Sequence, residues 1–383
     1  MPRSVLILGA RAPVALDHAR RFAAHGWRVY VADSVSMQLT ASSRSVSGSV
    51  MLPSPRFQGL EFCRALERYA TDQRIDLVVP TCEEVFFLSR FRERMPRTLV
   101  IAVDEFDKLK RLHSKLAFLE DARNCGFDTP QSAAVTTLAQ AREWAGARPC
   151  VIKPEFSRFG VFVRIYREGI PEHAPALAAL GRWVVQECCE GTELCSYSVA
   201  AAGQLLAHQV YRPSYRLGRS SSYYFEPAAE PRIEACVRAF VAAVRFTGQI
   251  SFDWIRDTDG RCSVLECNPR ATSGLHLFDL QDALPDALIG EGAVLPHSRE
   301  PQPRMIAAVM ATSGIWDACR RGALTQWRRD FARARDVIAL PADQRPLFGG
   351  FVDVASYARL ALQQRCSLRE AATRDIEWDG QPI

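Results

Sequence analysis

The chain opens with short apolar runs alternating with amphipathic stretches. Val5 to Leu8 is apolar, Gly9 and Ala10 follow, and a helical periodicity then carries to Gly26. A run of that kind bounded by glycine reads as a buried strand feeding a helix. Val29 to Ala32 is the next apolar run and ends in Asp33, which gives the opening the β-α-β form of a doubly wound sheet. Further strands are expected at Leu77 to Pro80 and Leu99 to Val103, filling an α/β unit over residues 1–110. GARAPVA lacks the spaced glycines of GxGxxG, which disfavours a dinucleotide site there.

The pattern then changes. A helix is expected from about His113 to Cys125, stopped by Gly126 with Pro130 beyond it. Cys150 to Lys153, Val161 to Ile165, Trp183 to Glu187, Leu194 to Ala201 and Leu205 to Tyr211 read as strands, and residues 172–180 and 232–246 as helices. Residues 249–267 read as a hairpin, QISFDWIRD and RCSVLEC around a turn at Thr258, Asp259 and Gly260. The last eighty or so residues are mixed in pattern, and no internal repeat is evident.

Composition narrows the function classes. The 383 residues are 48% hydrophobic and 24% charged, as in folded proteins of more than one packed unit. Formal charge is +5, with 48 basic residues against 43 acidic ones, too balanced for a dedicated nucleic-acid binder. The densest basic stretch, Arg320 to Arg335, is interrupted by Asp330 and reads as a solvated helix face. Twelve cysteines are scattered without CxxC spacing, which suits reduced thiols in the cytoplasm. No signal peptide or membrane span is expected. Only Lys108, Lys110, Lys115 and Lys153 are lysines among the 48 cations, so attention goes to the two segments that keep a slim ammonium.

The hairpin carries the sharpest chemistry. Pairing Arg256 with Arg261 sets Asp253 opposite Val264, one pair from Glu266, so Asp253, Glu266 and Asn268 project to one face. Two carboxylates and an amide on an apolar hairpin repel and lose hydration without a cation. All-oxygen ligation suits Mg2+, which keeps waters and borrows oxygens from substrate phosphates. Arg270 follows at once in ECNPR, where its planar fork can hold a transferring phosphoryl group or make a structural salt bridge.

GQISFDW followed by LECNPR, with Glu266 thirteen residues after Asp253, resembles the metal-binding end of the ATP-grasp ligases. The likeness continues upstream. Lys115 in HSKLAFLEDARNCG stands eleven residues before Gly126, as the lysine opening a helix does in that family. Lys153 in CVIKPEFSRFGVFV ends an apolar strand before a loop that resembles the family's phosphate lid. VVQECCEGTELCSYSV resembles the adenine hinge, which implies Gln186, Glu187 and Cys189 at the base and Glu193 at the ribose hydroxyls.

The resemblance covers about residues 110–280 and implies a fold of α/β and α+β parts: a Rossmann-like preATP-grasp domain over 1–110, a two-subdomain ATP-grasp domain over 111–300 (111–184 and 185–300), and a C-terminal extension over 301–383 packed on it. It implies ATP with Mg2+, or alternatively Mn2+, bound by Lys115, Lys153, Ser157, Gly160 and the hinge residues, with Lys153 and Arg270 catalytic and Asp253, Glu266 and Asn268 holding metal. The 155–160 loop departs from the family in its brevity and in Arg158 and Phe159 where small residues are common, and Ser251 stands where some relatives carry a cation.

The implied reaction is ATP-dependent joining of a small carboxylate to an amine through an acyl phosphate, by a cytoplasmic enzyme, as monomer or homodimer. Bicarbonate activation of the carboxylase or carbamoyl-phosphate kind is one alternative. A nucleotide-binding regulator with a dead site is another, disfavoured because every metal ligand and phosphate lysine is present. Expected substrate-lining residues are Arg212, Arg216, Arg219 and Tyr223 in YRPSYRLGRSSSYYFEP, Ser273 and His276 beyond Arg270, and Glu83 with Glu84 after a strand of the first unit.

Overall fold

The computed structural model describes residues 2–157, 162–178, 181–218, 221–293 and 302–383. β1 (Ser4–Leu8), β2 (Arg28–Asp33), β3 (Gly48–Met51), β4 (Leu77–Val79) and β5 (Val100–Ile101) form a parallel sheet in the order β3-β2-β1-β4-β5. Every residue of β1 is buried, as an apolar run at the centre of a sheet covered on both faces should be. Strand order reverses between β1 and β4, the crevice where doubly wound sheets place ligands. Gly9 makes the tight exit from β1 with φ +69°, and a Cβ there would lie 2.5 Å from Thr81 Oγ1.

β6 (Ser132–Val135), β7 (Cys150–Pro154), β8 (Arg164–Tyr166) and β9 (Trp183–Glu187) form a small antiparallel sheet in the order β6-β9-β7-β8. The helix Leu138–Ala145 starts on a capping box between Thr137 and Gln140 and buries Ala141 and Ala145 against it.

The third sheet contains β10 (Thr192–Ala201), β11 (Gln204–Leu217), β12 (Ser221–Ala228), β13 (Gly248–Arg256), β14 (Cys262–Asn268), β15 (Arg304–Met305) and β16 (Arg335–Asp336), in the order β14-β13-β10-β11-β12-β15-β16. Phe252 and Trp254 point to one face, where Phe118, Phe127 and Phe240 meet them with ring centroids 5.4–6.3 Å apart. Helices Ala117–Asn124 and Pro231–Ala243 therefore seal that face, and alternation turns Ser251, Asp253, Glu266 and Asn268 to the other.

Several expectations change. The helix expected from about His113 to Cys125 is present but starts later, as Ala117–Asn124; an earlier helix, Phe106–His113, ends where it was expected to begin, and Ser114 and Lys115 lie in the break between the two. Residues 171–178 contain no helix. Strands β3 and β6 are short and partly exposed and give no clean apolar run, while β12 buries Tyr223, Tyr224 and Phe225 in a stretch read as a basic loop.

The first unit docks on the third sheet through buried polar groups. Asp17 accepts from Arg21 Nε at 2.6 Å and lies 2.7 Å from His276 Nδ1, while Arg21 donates to the carbonyls of Phe278 and Asp279. Gln249 Oε1 takes His18 at 2.8 Å and Tyr197 at 2.7 Å, and its amide donates to Pro80. Residues 337–343 dock on the same helix: Arg20 donates to the carbonyls of Val337 and Ile338 and to Asp343.

Candidate active site

A β-bulge builds the carboxylate pair. Near the turn, Arg256 pairs with Cys262 and Trp254 with Val264, a register that carried onward would leave Glu266 on the face opposite Asp253. The register shifts between Asp253 and Trp254, and Asp253 pairs directly with Glu266 and Ser251 with Asn268. The expected pairing of Asp253 with Val264 is thereby corrected. The shared face is retained, and the two acids stand closer than uninterrupted pairing allows. The row continues across the sheet through Cys195 and Tyr211.

Both lysines converge on this pair. Lys115 is buried, its ammonium 4.0 Å from Glu266 Oε2 and donating to the carbonyl of Ser157 at 2.9 Å. Lys153, at the end of β7, is 5% exposed and feels Glu266, Lys115 and Asp253. Burial pulls Lys153 down to about 8 and lowers Lys115 as well, with Glu266 opposing in both cases. Burial and the facing Glu266 raise Asp253 well above the usual carboxylate range. Burial would raise Glu266 too, but the ammonium groups of Lys115 and Lys153 outweigh it and hold it low. Asp253 and Glu266 are thus like charges set directly opposite each other, and a cation between them would relieve the repulsion that raises Asp253.

Arg270 donates to Asn268 Oδ1 at 3.1 Å, and Asn268 Nδ2 lies 3.5 Å from Asp253 Oδ2. Among the described residues no three His, Cys, Asp or Glu side chains gather as a closed metal cage. Two carboxylates and an amide oxygen fit Mg2+, whose remaining positions go to water and phosphate.

The loop after Lys153 begins in a fixed clamp that sequence reasoning missed. Glu155 is 3% exposed and accepts from Ser114 at 2.5 Å and from Arg182 at 2.8 and 3.0 Å. Ser157 turns its carbonyl to Lys115; Arg158, Phe159 and Gly160 lie outside the described residues. At the end of β9, buried Gln186 donates to Ser132 Oγ at 3.0 Å, and the exposed Glu187 carboxylate accepts from Gln131 N at 3.2 Å. Burial pushes the Cys189 thiol up to about 11, so it is protonated at neutral pH. Glu193 lies on the Asp253 face of β10 and is ion-paired with Arg216, so the residues expected at the ribose and at the substrate already meet.

The other expected substrate residues lie elsewhere. Arg212 pairs with Glu226, its cross-strand partner, on the alternate face from Tyr211. Tyr223 is buried against Tyr215, and Arg219 lies outside the described residues. Ser273 is half-buried at the start of the turn Ser273–Leu277. His276 is 2% exposed, held by Asp17 and stacked on Phe225, which makes it a docking contact rather than a substrate-lining residue. Glu84 accepts from the Thr81 and Cys82 amides and pins the turn after β4. Glu83 is fully buried, 3.9 Å from Arg270 Nε and accepting from the Trp378 amide at 2.9 Å, so it faces the protein and has no open side for a substrate ammonium. His113, also unforeseen, is buried between Phe86 and Phe156 beside this group.

Solved structures share this architecture. N5-carboxyaminoimidazole synthetase from Staphylococcus aureus, complexed with ADP, superposes at a TM-score of 0.62 with 14% identity over 83% of this chain and 87% of that one. An L-amino acid ligase from Bacillus licheniformis gives 0.60 with 16% identity over 80% of each chain. The biotin carboxylase domain of Hydrogenobacter thermophilus 2-oxoglutarate carboxylase, in complex with MgADP, ADP and bicarbonate, gives 0.61 with 13% identity over 78% and 73%. No protein-family model and no curated protein matches the sequence. At these identities it is the fold that is shared: the chain has the fold of the ATP-grasp ligases, mixed α/β with one parallel and two largely antiparallel sheets. No helix among the described residues is long and apolar enough to cross a membrane.

Proposed function

We propose that the chain is an ATP- and Mg2+-dependent ligase that activates a small-molecule carboxylate as an acyl phosphate and joins it to an amine. The observation that carries this reading is the bulge-paired Asp253 and Glu266, beside Asn268, meeting Lys115, Lys153 and Arg270 on one open face of the third sheet. A carboxylate oxygen attacks the γ-phosphorus and the bond to the ADP oxygen breaks. The amine lone pair then attacks the acyl carbon, the carbon–oxygen bond to phosphate breaks, and the amine proton is released.

Asp253, Glu266 and Asn268 would hold Mg2+, which when bound neutralises the β and γ oxygens. Mn2+ satisfies the same oxygen donors. Lys115 and Lys153 supply point charges to the phosphates, and Arg270 supplies a planar fork as the phosphoryl group moves. Partial desolvation strengthens each of these attractions. Glu187 and Cys189 offer their backbone to the base and Glu193 accepts from the ribose, releasing Arg216 toward the substrate. By the resemblance to the ATP-grasp ligases, Ser157 and Gly160 would help keep water from the acyl phosphate.

Incubation of the protein with Mg2+-ATP and a panel of amino acids and small acids, with amines as acceptors, is expected to release ADP and phosphate in equal amounts only when both partners are present. Release of AMP overturns the reading. The likeness to a carboxylase domain bound to bicarbonate supports a second reading, in which bicarbonate is the carboxylate activated. ADP release that depends on bicarbonate without an amine selects it.

A further inference from the structure

The chain end is built into the rear of this site. The helix Leu368–Thr373 starts on a capping box between Ser367 and Glu370 and delivers the turn and irregular segment that follow to the carboxyl edge of the first sheet. There Asp375 is anchored. Its carboxylate accepts from Arg11 at 2.7 and 2.8 Å and from Ser34 Oγ at 2.6 Å, and its carbonyl accepts from Ser54 Oγ at 2.6 Å. Arg11 is itself buried and also paired with Asp33, so the anchor is a desolvated charge group rather than a surface contact. Arg56 donates to Asp379 at 2.6 Å and fixes the segment on the far side of Trp378.

Between these anchors Trp378 is 3% exposed and wedged among Phe86, Phe106, His113 and Phe156, with ring centroids 4.8–5.9 Å away. Phe156 follows Glu155 in the loop that leads to Ser157. The Trp378 amide donates to Glu83 Oε2, the other oxygen of Glu83 lies 3.9 Å from Arg270 Nε, and Arg270 in turn holds Asn268. A single line of polar contacts therefore runs from the chain end to the carboxylate face.

We infer that Glu83 and the Trp378 segment are positioning elements of the active site: the chain end fixes the Glu83 carboxylate, and Glu83 fixes the guanidinium plane of Arg270 for the phosphoryl group. The inference rests on the ligase reading given above. The physical reason is that an arginine side chain has several freely turning bonds, and its fork helps a transition state only when the plane is set beforehand. Glu83 supplies a charge fixed at one edge of that plane. Trp378 supplies the amide that stops the Glu83 carboxylate from rotating, and its ring packs against Phe156 and His113.

Two measurements test this. In the first, kcat and KM for ATP are measured by ADP release for the full chain, Glu83→Gln, Trp378→Ala, Trp378→Phe and a chain ending at Thr373. Glu83→Gln is expected to lose about 30-fold in kcat with KM for ATP changed less than about threefold, the pattern for loss of an interaction made in the transition state. Trp378→Phe should recover most of what Trp378→Ala loses. In the second, the Nε–H signal of Arg270, assigned by its loss in Arg270→Lys, is followed by nitrogen–proton NMR. It is expected to exchange slowly in the full chain and to be lost in Glu83→Gln and in the shortened chain.

An unchanged Arg270 signal together with kcat within threefold in Glu83→Gln overturns the inference. If the shortened chain fails to fold, Glu83→Gln still decides. If the full chain releases no ADP with any acid, the ligase reading fails, and the Arg270 signal alone tells whether Glu83 and the chain end set that side chain.

Discussion

Two charged clusters in this molecule differ in how completely their members are paired. Around the helix Pro13–Ala24, Asp17, Arg21, His276, Arg20 and Asp343 are buried, and the arginines are bonded to carbonyls as well as to acids. Across the face of β13 and β14, Asp253 confronts Glu266, both lysines are pulled toward neutrality by burial, and the cluster stays open on one side. A buried charge that finds all its partners within the protein holds units together. Like charges left facing one another are poised for a ligand that carries the missing charge.

Substitutions should separate the two. Asp253→Asn is expected to cost about 10³-fold in ADP release while stability to urea stays level or rises, since a repulsion is removed; Glu266→Gln should lose turnover as much but also some stability, since Lys115 and Lys153 lose their counter-charge. Lys153→Met should lose about 10²-fold with the indifference in stability expected of Asp253→Asn. Arg21→Met should do the reverse, costing about 3–5 kcal/mol of unfolding free energy by stranding Asp17, with turnover per folded molecule unchanged. If Asp253→Asn unfolds the protein, or Arg21→Met abolishes turnover of the folded fraction, the contrast between the clusters fails.

Acid should weaken the fold through its buried histidines. Burial holds His18, His113 and His208 down near 4, from the usual 6.5. They are neutral when folded, and the unfolded chain binds the extra protons below 6.5. Their stabilisation is complete above that value and is lost as pH falls toward 4, on the order of 1–3 kcal/mol for each. Urea midpoints measured from pH 7 to pH 4.5 should fall steadily, and a flat profile contradicts this. The smallest effect is expected at Glu193→Gln, about three- to tenfold in KM for ATP with kcat nearly unchanged.

What the sequence made legible follows the same division. The hairpin acids, the two lysines and the apolar run of β1 announce themselves because spacing and alternation are local. The bulge that seats Glu266 opposite Asp253 leaves no mark in a hydrophobic pattern, since either register buries Val264. His276 takes its role from Asp17 in the first helix, and Glu83 from Trp378 near the chain end, and no local pattern reveals such distant partners. Arginine-rich YRPSYRLGRS reads as a ligand-binding stretch, yet Arg212 and Arg216 are matched by Glu226 and Glu193. Glu155 gives no signal because an acid after a strand is ordinary until Ser114 and Arg182 close on it.

Calorimetric titration of a non-hydrolysable ATP analogue, with and without Mg2+, into the unaltered protein and into Glu266→Gln bears most directly on the carboxylate face. Mg2+ should tighten binding to the unaltered protein by about tenfold or more, through the charge it shares between phosphates and carboxylates, and should do little in the variant. Equal Mg2+ dependence in the two proteins, or none in either, contradicts the account.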